Sequence, residues 1–513
     1  ATGASAIDFK AKGQWLMGFA AGDGSFTSHH REAGSKHNQA VDQDDAFSAM
    51  QRVRLQLDAV ASEALSGTVY FEIGDQTWGQ NSSGGALGAD SSSVVELKNA
   101  YIDWMVPNMD LKFRMGIQAI TMPNVAGGSA VLDDDAAGIV ASYQFNENVG
   151  LTAVWARLFN DNWDGQNSAS KRWTADGYKN YQDNVDMFAL TLPLTFDGVK
   201  VTPWAMYGMI GNNAWDAIDA GWDGSNGSFP KYTMRPYPYA NGTWSEDIKD
   251  LNTSKAYGSA FWAGLPISVT AFDPLNIELD INYGYIESMG RYSVKQQNTG
   301  DWRRGDTKRE GWLVKALVEY KMDWGTPGIF GWYSSGDDGN VKNGSERMPV
   351  VSANGNNDFS NFAFNGNPYI AREGILGSTM VGTWGIGARL KDVSFLEDLK
   401  HTLRVNFMGG TNAPKMAKYV SHNSFKDPAT VAQYGTSYDP IYLTTEDYAL
   451  EIGLTNTYKM YDNFTVMLDA AYIAMWLDDS RSTWGKNPMA GFAGDRNGVY
   501  DAWNVNLSFV YSF

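Results

Sequence analysis

Alternation with a period of two residues runs through almost the whole chain. In 50–59, Val53, Leu55 and Leu57 fall on one side while Arg52, Arg54, Gln56 and Asp58 fall on the other. In 110–118, Leu111, Phe113, Met115 and Ile117 alternate with Lys112, Arg114 and Gln118; in 276–285, Ile277, Leu279, Ile281, Tyr283 and Tyr285 alternate with Glu278, Asp280 and Asn282. "HTLRVNF" and "DYALEIGLTNTY" repeat the pattern, and helical periodicity is scarce. Successive side chains of a strand point to opposite faces, so these segments predict strands with one apolar and one polar face. About eighteen of them recur, near 5–20, 46–60, 64–77, 94–106, 110–120, 134–145, 148–159, 184–196, 198–210, 255–270, 275–288, 310–323, 327–334, 377–390, 401–411, 444–459, 463–477 and 500–513. The fourth and seventh leave their facing open.

The connections alternate between short and long. Short ones carry tight-turn chemistry: "NEN" (146–148), "FDGV" (196–199), "FDPL" (272–275), "GTPG" (325–328) and "YDN" (461–463). Long ones (21–45, 78–93, 161–183, 211–254, 289–309, 335–376, 412–443 and 478–499) are rich in Gly, Asn, Asp, Ser and Trp, and 121–133 is of middle length. A soluble sandwich has no reason to keep every second loop short. A transmembrane barrel does, with brief periplasmic turns and longer extracellular loops. About ten residues at ~3.3 Å each, tilted by ~45°, climb about 23 Å, close to the ~25 Å apolar band of such a barrel. Trp78, Trp324, Trp476, Tyr458 and Tyr461 stand at strand ends, where a ring meets headgroups and its polar atom stays wet. An open sheet edge in hydrocarbon would leave backbone groups unpaired, so the sheet must close. The expectation is an all-β, transmembrane, antiparallel up-and-down barrel of 18 strands, with 16 as the alternative, formed by 1–513 as a single domain.

Composition narrows the classes. There is no cysteine, so neither a disulfide framework nor a thiolate metal site can form. Mean hydropathy is −0.35, and no stretch supplies the ~18 apolar residues of a spanning helix. The net charge of −18 argues against nucleic acid as a partner. "ATGASAIDFK" lacks a basic and then apolar leader, so any secretory signal is expected to have been removed already. His29, His30, His37 and His422 fall in long loops, and His401 starts a strand. With no H-E-x-x-H and no G-x-S-x-G, an enzyme has no positive support.

The chain ends "NVNLSFVYSF", with Val505, Leu507, Phe509, Tyr511 and Phe513 opposed to Asn504, Asn506, Ser508 and Ser512. The apolar half faces lipid, the polar half faces a lumen, and this last strand must pair with "SAIDFKAKGQWLMGF" to seal the cylinder. With "FKAKGQWLMGF" (9–19), "LKFRMGIQAITMPN" (111–124), "GWYSSGDDG" (331–339) and the terminal "VYSF", the chain resembles the bacterial outer-membrane porin superfamily over its whole length. It is most similar there to the homotrimeric porins of sulfate-reducing bacteria. The resemblance implies an outer-membrane homotrimer in a Gram-negative cell, amid lipid and lipopolysaccharide. It also implies an inward-folded third long loop, and a terminal aromatic signal, Tyr511 and Phe513, read by the barrel-assembly machinery.

A barrel this wide cannot be filled by wall side chains alone, so its interior is expected to be aqueous. The phases put Arg52, Arg54, Lys112, Arg114, Lys315, Lys321, Arg389 and Arg404 inside, against Asp58, Glu72, Glu278, Asp280, Glu319, Glu451 and Asp469. Facing lipid at mid-bilayer, each arginine would cost about 2–4 kcal/mol. By the porin pattern the constriction is 121–135, "TMPNVAGGSAVLDDD", with Asp133, Asp134 and Asp135 set across the pore from Arg52, Arg54 and Arg114; a solvated strand start is the alternative for the three aspartates. Asn160, Asn162 and Asp164, or Asp337 and Asp338, are weak Ca²⁺ candidates. In the first group Lys171 stands where an EF-hand needs its bidentate Glu. No other cofactor is expected. Tyr70 and Trp204 could belong to an aromatic ladder for sugars. The function expected is passive diffusion of small hydrophilic solutes and ions. The alternatives are a solute-specific 18-stranded channel and a surface or adhesin barrel with a plugged lumen.

Overall fold

The structure, a computed structural model, describes residues 7–23, 45–81, 84–88, 95–160, 184–211, 248–253, 255, 257–296, 298–352, 359–364, 375–377, 379–420, 442–486 and 501–513. From the amino end the strands are β1 (Asp8–Asp23), β2 (Asp45–Ser62), β3 (Leu65–Thr77), β4 (Val95–Met105), β5 (Leu111–Thr121), β6 (Asp133–Gln144) and β7 (Gly150–Asn160). Then come β8 (Asn184–Thr191), β9 (Leu194–Phe196), β10 (Val199–Val201), β11 (Trp204–Gly211), β12 (Ile248–Thr253), β13 (Tyr257–Val269) and β14 (Leu275–Ile286). The remainder are β15 (Gly290–Lys295), β16 (Trp302–Asp306), β17 (Arg309–Tyr320), β18 (Thr326–Ser334), β19 (Thr383–Leu396), β20 (Leu399–Gly410), β21 (Tyr448–Tyr461), β22 (Phe464–Trp476) and β23 (Ala502–Ser512).

Every ladder of the main sheet is antiparallel, and β1 pairs with both β2 and β23, so the sheet closes on itself. The main sheet has 20 segments, but two are broken staves. Pro193 separates β8 from β9, and Pro203 separates β10 from β11, because a proline has no N–H for the ladder. Leu192 N still donates to Pro203 O at 2.9 Å, so the hairpin continues across both breaks and the barrel has 18 strands. A second, three-stranded sheet of β12, β15 and β16 is built from the long connections between β11 and β13 and between β14 and β17. Periodicity did not reveal it, since its short strands lie inside loops dominated by polar residues. The strand expected at 377–390 instead runs Thr383–Leu396.

Outward positions form a continuous apolar belt. Ile102, Phe188, Phe261, Ile281, Ile329, Ile386, Val405, Leu454 and Leu468 are all exposed there. So large an exposed apolar surface needs a hydrocarbon partner rather than water. Rings collect near both rims, with Trp78, Trp312, Tyr333 and Trp476 toward the long loops and Trp104, Tyr320, Trp324 and Tyr461 toward the turns. The seam is sealed to its last residue: Gly13 N donates to Phe513 O at 2.9 Å, and Phe513 N to Gly13 O at 3.0 Å. The Phe513 ring lies 5.3 Å from that of Trp15, and a Cβ on Gly13 would come within 2.6 Å of the Phe513 ring. Gly13 therefore makes room for the terminal aromatic.

The buried core is inside the cylinder, an unusual place for one. Two inward segments contribute much of it, beside wall residues and loop residues such as Met416, Tyr419, Leu443 and Trp484. Residues 121–133 between β5 and β6 turn inward. So do residues 341–352 and 359–364 between β18 and β19, whose Val350, Val351, Phe359 and Phe364 are buried against wall residues such as Trp262, Phe330 and Trp332.

Candidate functional site

The lumen has two unlike sides. On the wall formed by β1 to β6, inward side chains carry a ladder of ion pairs between neighbouring strands. Arg52 holds Asp75 through two bonds of 2.6 and 2.7 Å, and Arg54 Nε reaches Glu72 at 2.6 Å. Arg114 grips both oxygens of Asp103 at 2.8 Å, with Lys112 at 3.4 Å from the same carboxylate. Such two-point Arg–carboxylate contacts fix geometry as well as charge. The Arg114 guanidinium also lies 4.1 Å from the Tyr101 ring centre. Three of these cations meet solvent, the side chains of Lys112, Arg114 and Arg54 being 45, 35 and 27% exposed, while that of Arg52 is 7% exposed. A recess of about 520 Å³ at the short-turn mouth is lined by Asp110, Lys112, Ser142, Gln144 and Thr152.

On the wall from β11 to β22, the inward charges are covered. Lys315 and Asp280, 3.8 Å apart, are 1 and 2% exposed, and Arg389 bonds Glu319 at 2.6 Å with 2% of its side chain exposed. Arg404 donates to Asn361 Oδ1 and Thr455 Oγ1, both at 3.3 Å. The cover is the two inward segments. Val125 and Ala126 donate backbone N–H groups to Asp280, Lys315 Nζ donates to Gly128 O, and Trp204 Nε1 donates to Pro123 O at 3.0 Å. Across the lumen, Asn361 reaches Thr455 and Asp469, while Phe359 stacks on Phe330 with ring centres 4.4 Å apart.

The structure thus places the residues singled out from the pattern in three settings. Arg54, Lys112 and Arg114 stand on the solvent-reached wall and Arg52, 6% exposed, is buried within it; their counter-charges are Glu72, Asp103 and Asp75 rather than the aspartates after the loop. Asp133 already pairs with Thr121 and begins β6, so the three aspartates follow strand alternation and do not share one face. Asp134 turns inward and accepts from Ser352 Oγ at 2.8 Å, while Asp135 holds Lys98 at 2.6 Å and Asn99 at 2.8 Å. Arg389 and Arg404 belong to the covered wall. Lys321 lies beyond the end of β17 and is exposed. Trp204 is buried beneath 121–133 and serves as a hydrogen-bond donor to that segment, whereas Tyr70 faces inward on β3. Tyr511 and Phe513 sit at the seam on the outer face, their rings 6.1 Å apart.

Of the Ca²⁺ candidates, Asn162, Asp164 and the side chain of Asn160 lie outside the described residues. Asp337 accepts from Ser345 Oγ at 2.6 Å and Tyr442 OH at 2.8 Å, and Asp338 from Asn340 N and Asn343 Nδ2. Protein donors therefore occupy both carboxylates. Among the described residues no group of three or more His, Asp or Glu is arranged to hold a metal.

The segments that cover the second wall were not singled out beyond 121–135. The signal for the other was present in "MPVV" (348–351) and "FSNFAF" (359–364), apolar islands inside an otherwise polar loop. A loop that lives in water has no use for them.

No protein-family model matches the chain, and no curated protein matches it. Among solved structures it is similar to Pseudomonas aeruginosa OccK8 (OprE), with 11% identity over 99% of this chain and 98% of that one, at a TM-score of 0.48. It is also similar to P. aeruginosa OccK11 (OpdR), with 10% identity, 99 and 96% coverage and a TM-score of 0.47. For Acinetobacter baumannii OccAB3 the figures are 9% identity, 98 and 100% coverage and a TM-score of 0.46. With about one residue in ten shared, the likeness says nothing of what this chain carries.

Proposed function

We propose that the chain is a porin of the Gram-negative outer membrane, a water-filled channel through which small hydrophilic solutes and ions diffuse passively. One observation carries this reading: inside a closed barrel with an apolar belt, one wall keeps Arg54, Lys112 and Arg114 in contact with solvent. Charged groups facing a lumen are what an aqueous path uses and what a dry core excludes. The channel needs no cofactor. Its long loops face outside and its short turns the periplasm. It works as a homotrimer set in lipid and lipopolysaccharide, similar to the trimers of sulfate-reducing bacteria, with Tyr511 and Phe513 read by the barrel-assembly machinery.

A second reading, a solute-specific channel, is favoured by the covered wall, because two inward segments leave only part of the cross-section to water. Recording from planar bilayers tests both. Purified protein is expected to give stable current steps. Block of that current by an added solute with saturation would select the specific channel, and proportional, unsaturated reduction the general one. A barrel that inserts without conducting would leave the surface-protein alternative.

A further inference from the structure

Among the described residues, two wall carboxylates share one arrangement: each accepts consecutive backbone N–H groups of an inserted segment. Glu451, on β21 and fully buried, accepts three consecutive backbone N–H groups on one oxygen: Asn361 at 2.8 Å, Phe362 at 2.6 Å and Ala363 at 3.2 Å. Its other oxygen accepts Asn406 Nδ2 at 2.9 Å. Asp280, on β14 and 1% exposed, accepts Ala126 N at 2.6 Å and Val125 N at 3.1 Å on one oxygen. Successive amides converging on an anion form a cradle for negative charge, here with the anion supplied by the wall and the cradle by the inserted segment.

The two segments are also one body. Val351 N and Ser352 N donate to Val131 O at 2.9 and 3.0 Å, Asp133 N donates to Ser352 O at 2.7 Å, and Gly127 lies against the Phe359 ring. The insert is therefore gripped at two separate parts of the wall and tied to itself between them. Two residues along β21 on the same face, Gly453 leaves the space that the grip needs: a Cβ there would run into Asn361 Oδ1. Hydrophobic packing alone would hold the insert in no single place, whereas a carboxylate bound by consecutive amides sets its depth and register.

We infer that Glu451 and Asp280 are positioning residues, which set the width of the aqueous path by pinning a composite insert to the wall. This rests on the channel reading above, but the pin itself can be scored without any current. Because the chain has no cysteine, the pair Asn361→Cys and Thr455→Cys is unambiguous, and the native side chains approach to 2.8 Å. In the intact protein, mild oxidation is expected to close this bridge quickly. Adding Glu451→Ala should slow closure about tenfold or more as the segment leaves the wall, a population effect of the usual kind. In bilayers, Glu451→Ala and Asp280→Asn should each raise conductance about twofold and make the open level noisier, as space in the lumen passes to water. Oxidising the bridge in the Glu451→Ala background should restore the original conductance. Heat-modifiable migration on gels reports that each barrel is closed, and Glu451→Gln replaces the alanine variant should it not assemble. Bridge formation at an unchanged rate without Glu451, or wild-type current from both variants in closed barrels, overturns the pin. Absence of current in every form, with the rate difference intact, overturns the channel reading instead.

Discussion

The walls formed by β1–β6 and by β11–β22 use the same residues for opposite purposes. Both set Arg or Lys against Asp or Glu, on adjacent strands for Arg114–Asp103 and Lys315–Asp280 and across β18 for Arg389–Glu319. On the first, Arg114 and Asp103 are 35 and 18% exposed; on the second, Arg389 and Glu319 are 2 and 12% exposed. What separates the walls is cover: the insert bonds to Asp280, Lys315, Arg404 and Glu451 on the second and leaves Arg54, Lys112 and Arg114 on the first wet. In water an ion pair is a screened lining that meets passing solutes. Under cover it is a fastener, and its loss leaves a charge with nowhere to go. Residue type says little about which role an arginine plays. The neighbours brought by distant segments decide it.

The sharpest way to break this contrast is to remove one arginine from each side. Arg389→Met leaves Glu319, 12% exposed, with Asn276 but without its cation, and should cost about 3 kcal/mol of stability, toward the lower end for a broken buried pair. Arg114→Met leaves Asp103 near Lys112 and solvent, and should cost about 0–1 kcal/mol. Urea unfolding in lipid vesicles measures both. Equal losses would mean that the two walls do not differ in the way their exposure indicates.

A smaller effect tests the open wall as a lining. Arg54→Gln with Arg114→Gln removes two solvent-reached positive charges while Glu72 and Asp103 remain. The cation-to-anion permeability ratio should rise roughly twofold at 0.1 M salt and drift back toward the wild-type value at 1 M, as screening shortens from about 10 Å to about 3 Å. Arg389→Gln, at a buried position of the second wall, should leave the ratio nearly unchanged. A shift as large from Arg389 would show that the covered wall also meets the ion path.

The barrel was legible because each strand had to state its two faces locally, as in Leu111 to Gln118, and because loop lengths alternate. The inside was less so. Which carboxylate meets Arg52 depends on the register of β2 against β3, and alternation within one strand carries no register. The aspartates 133–135 read equally as the end of the constriction loop and as a strand start, because nothing local separates the two, and β6 begins at Asp133. Glu451 reads as one more inward carboxylate, since its partners lie 88 to 90 residues away in "FSNFAF". Long-range hydrogen bonds of this kind leave no period in a sequence.

The gentlest probe lies at the mouth above the covered wall, on the loop after β18. There Glu346 sits with Asp337 and Asp338, accepting Asp338 N at 3.1 Å and Asn343 Nδ2 at 3.0 Å, with Lys308 nearby. Burial first, and then the two neighbouring carboxylates, push its carboxyl up from 4.5 to about 7. A carboxyl raised in the folded state holds its proton more tightly there than in the unfolded chain. Its contribution is therefore complete at pH below the ordinary value and is lost as pH climbs through about 7. Glu346→Gln keeps the shape without the titration. The unfolding midpoint of the wild type should then fall relative to the variant as pH rises from 4.5 through about 7, and hold a constant offset above that. The group is partly open to solvent, so the offset should be small and should shrink further in high salt. Parallel profiles across that range would mean that water reaches Glu346 as freely as it reaches the open wall. The cover over the second wall would then end below the loop that carries it.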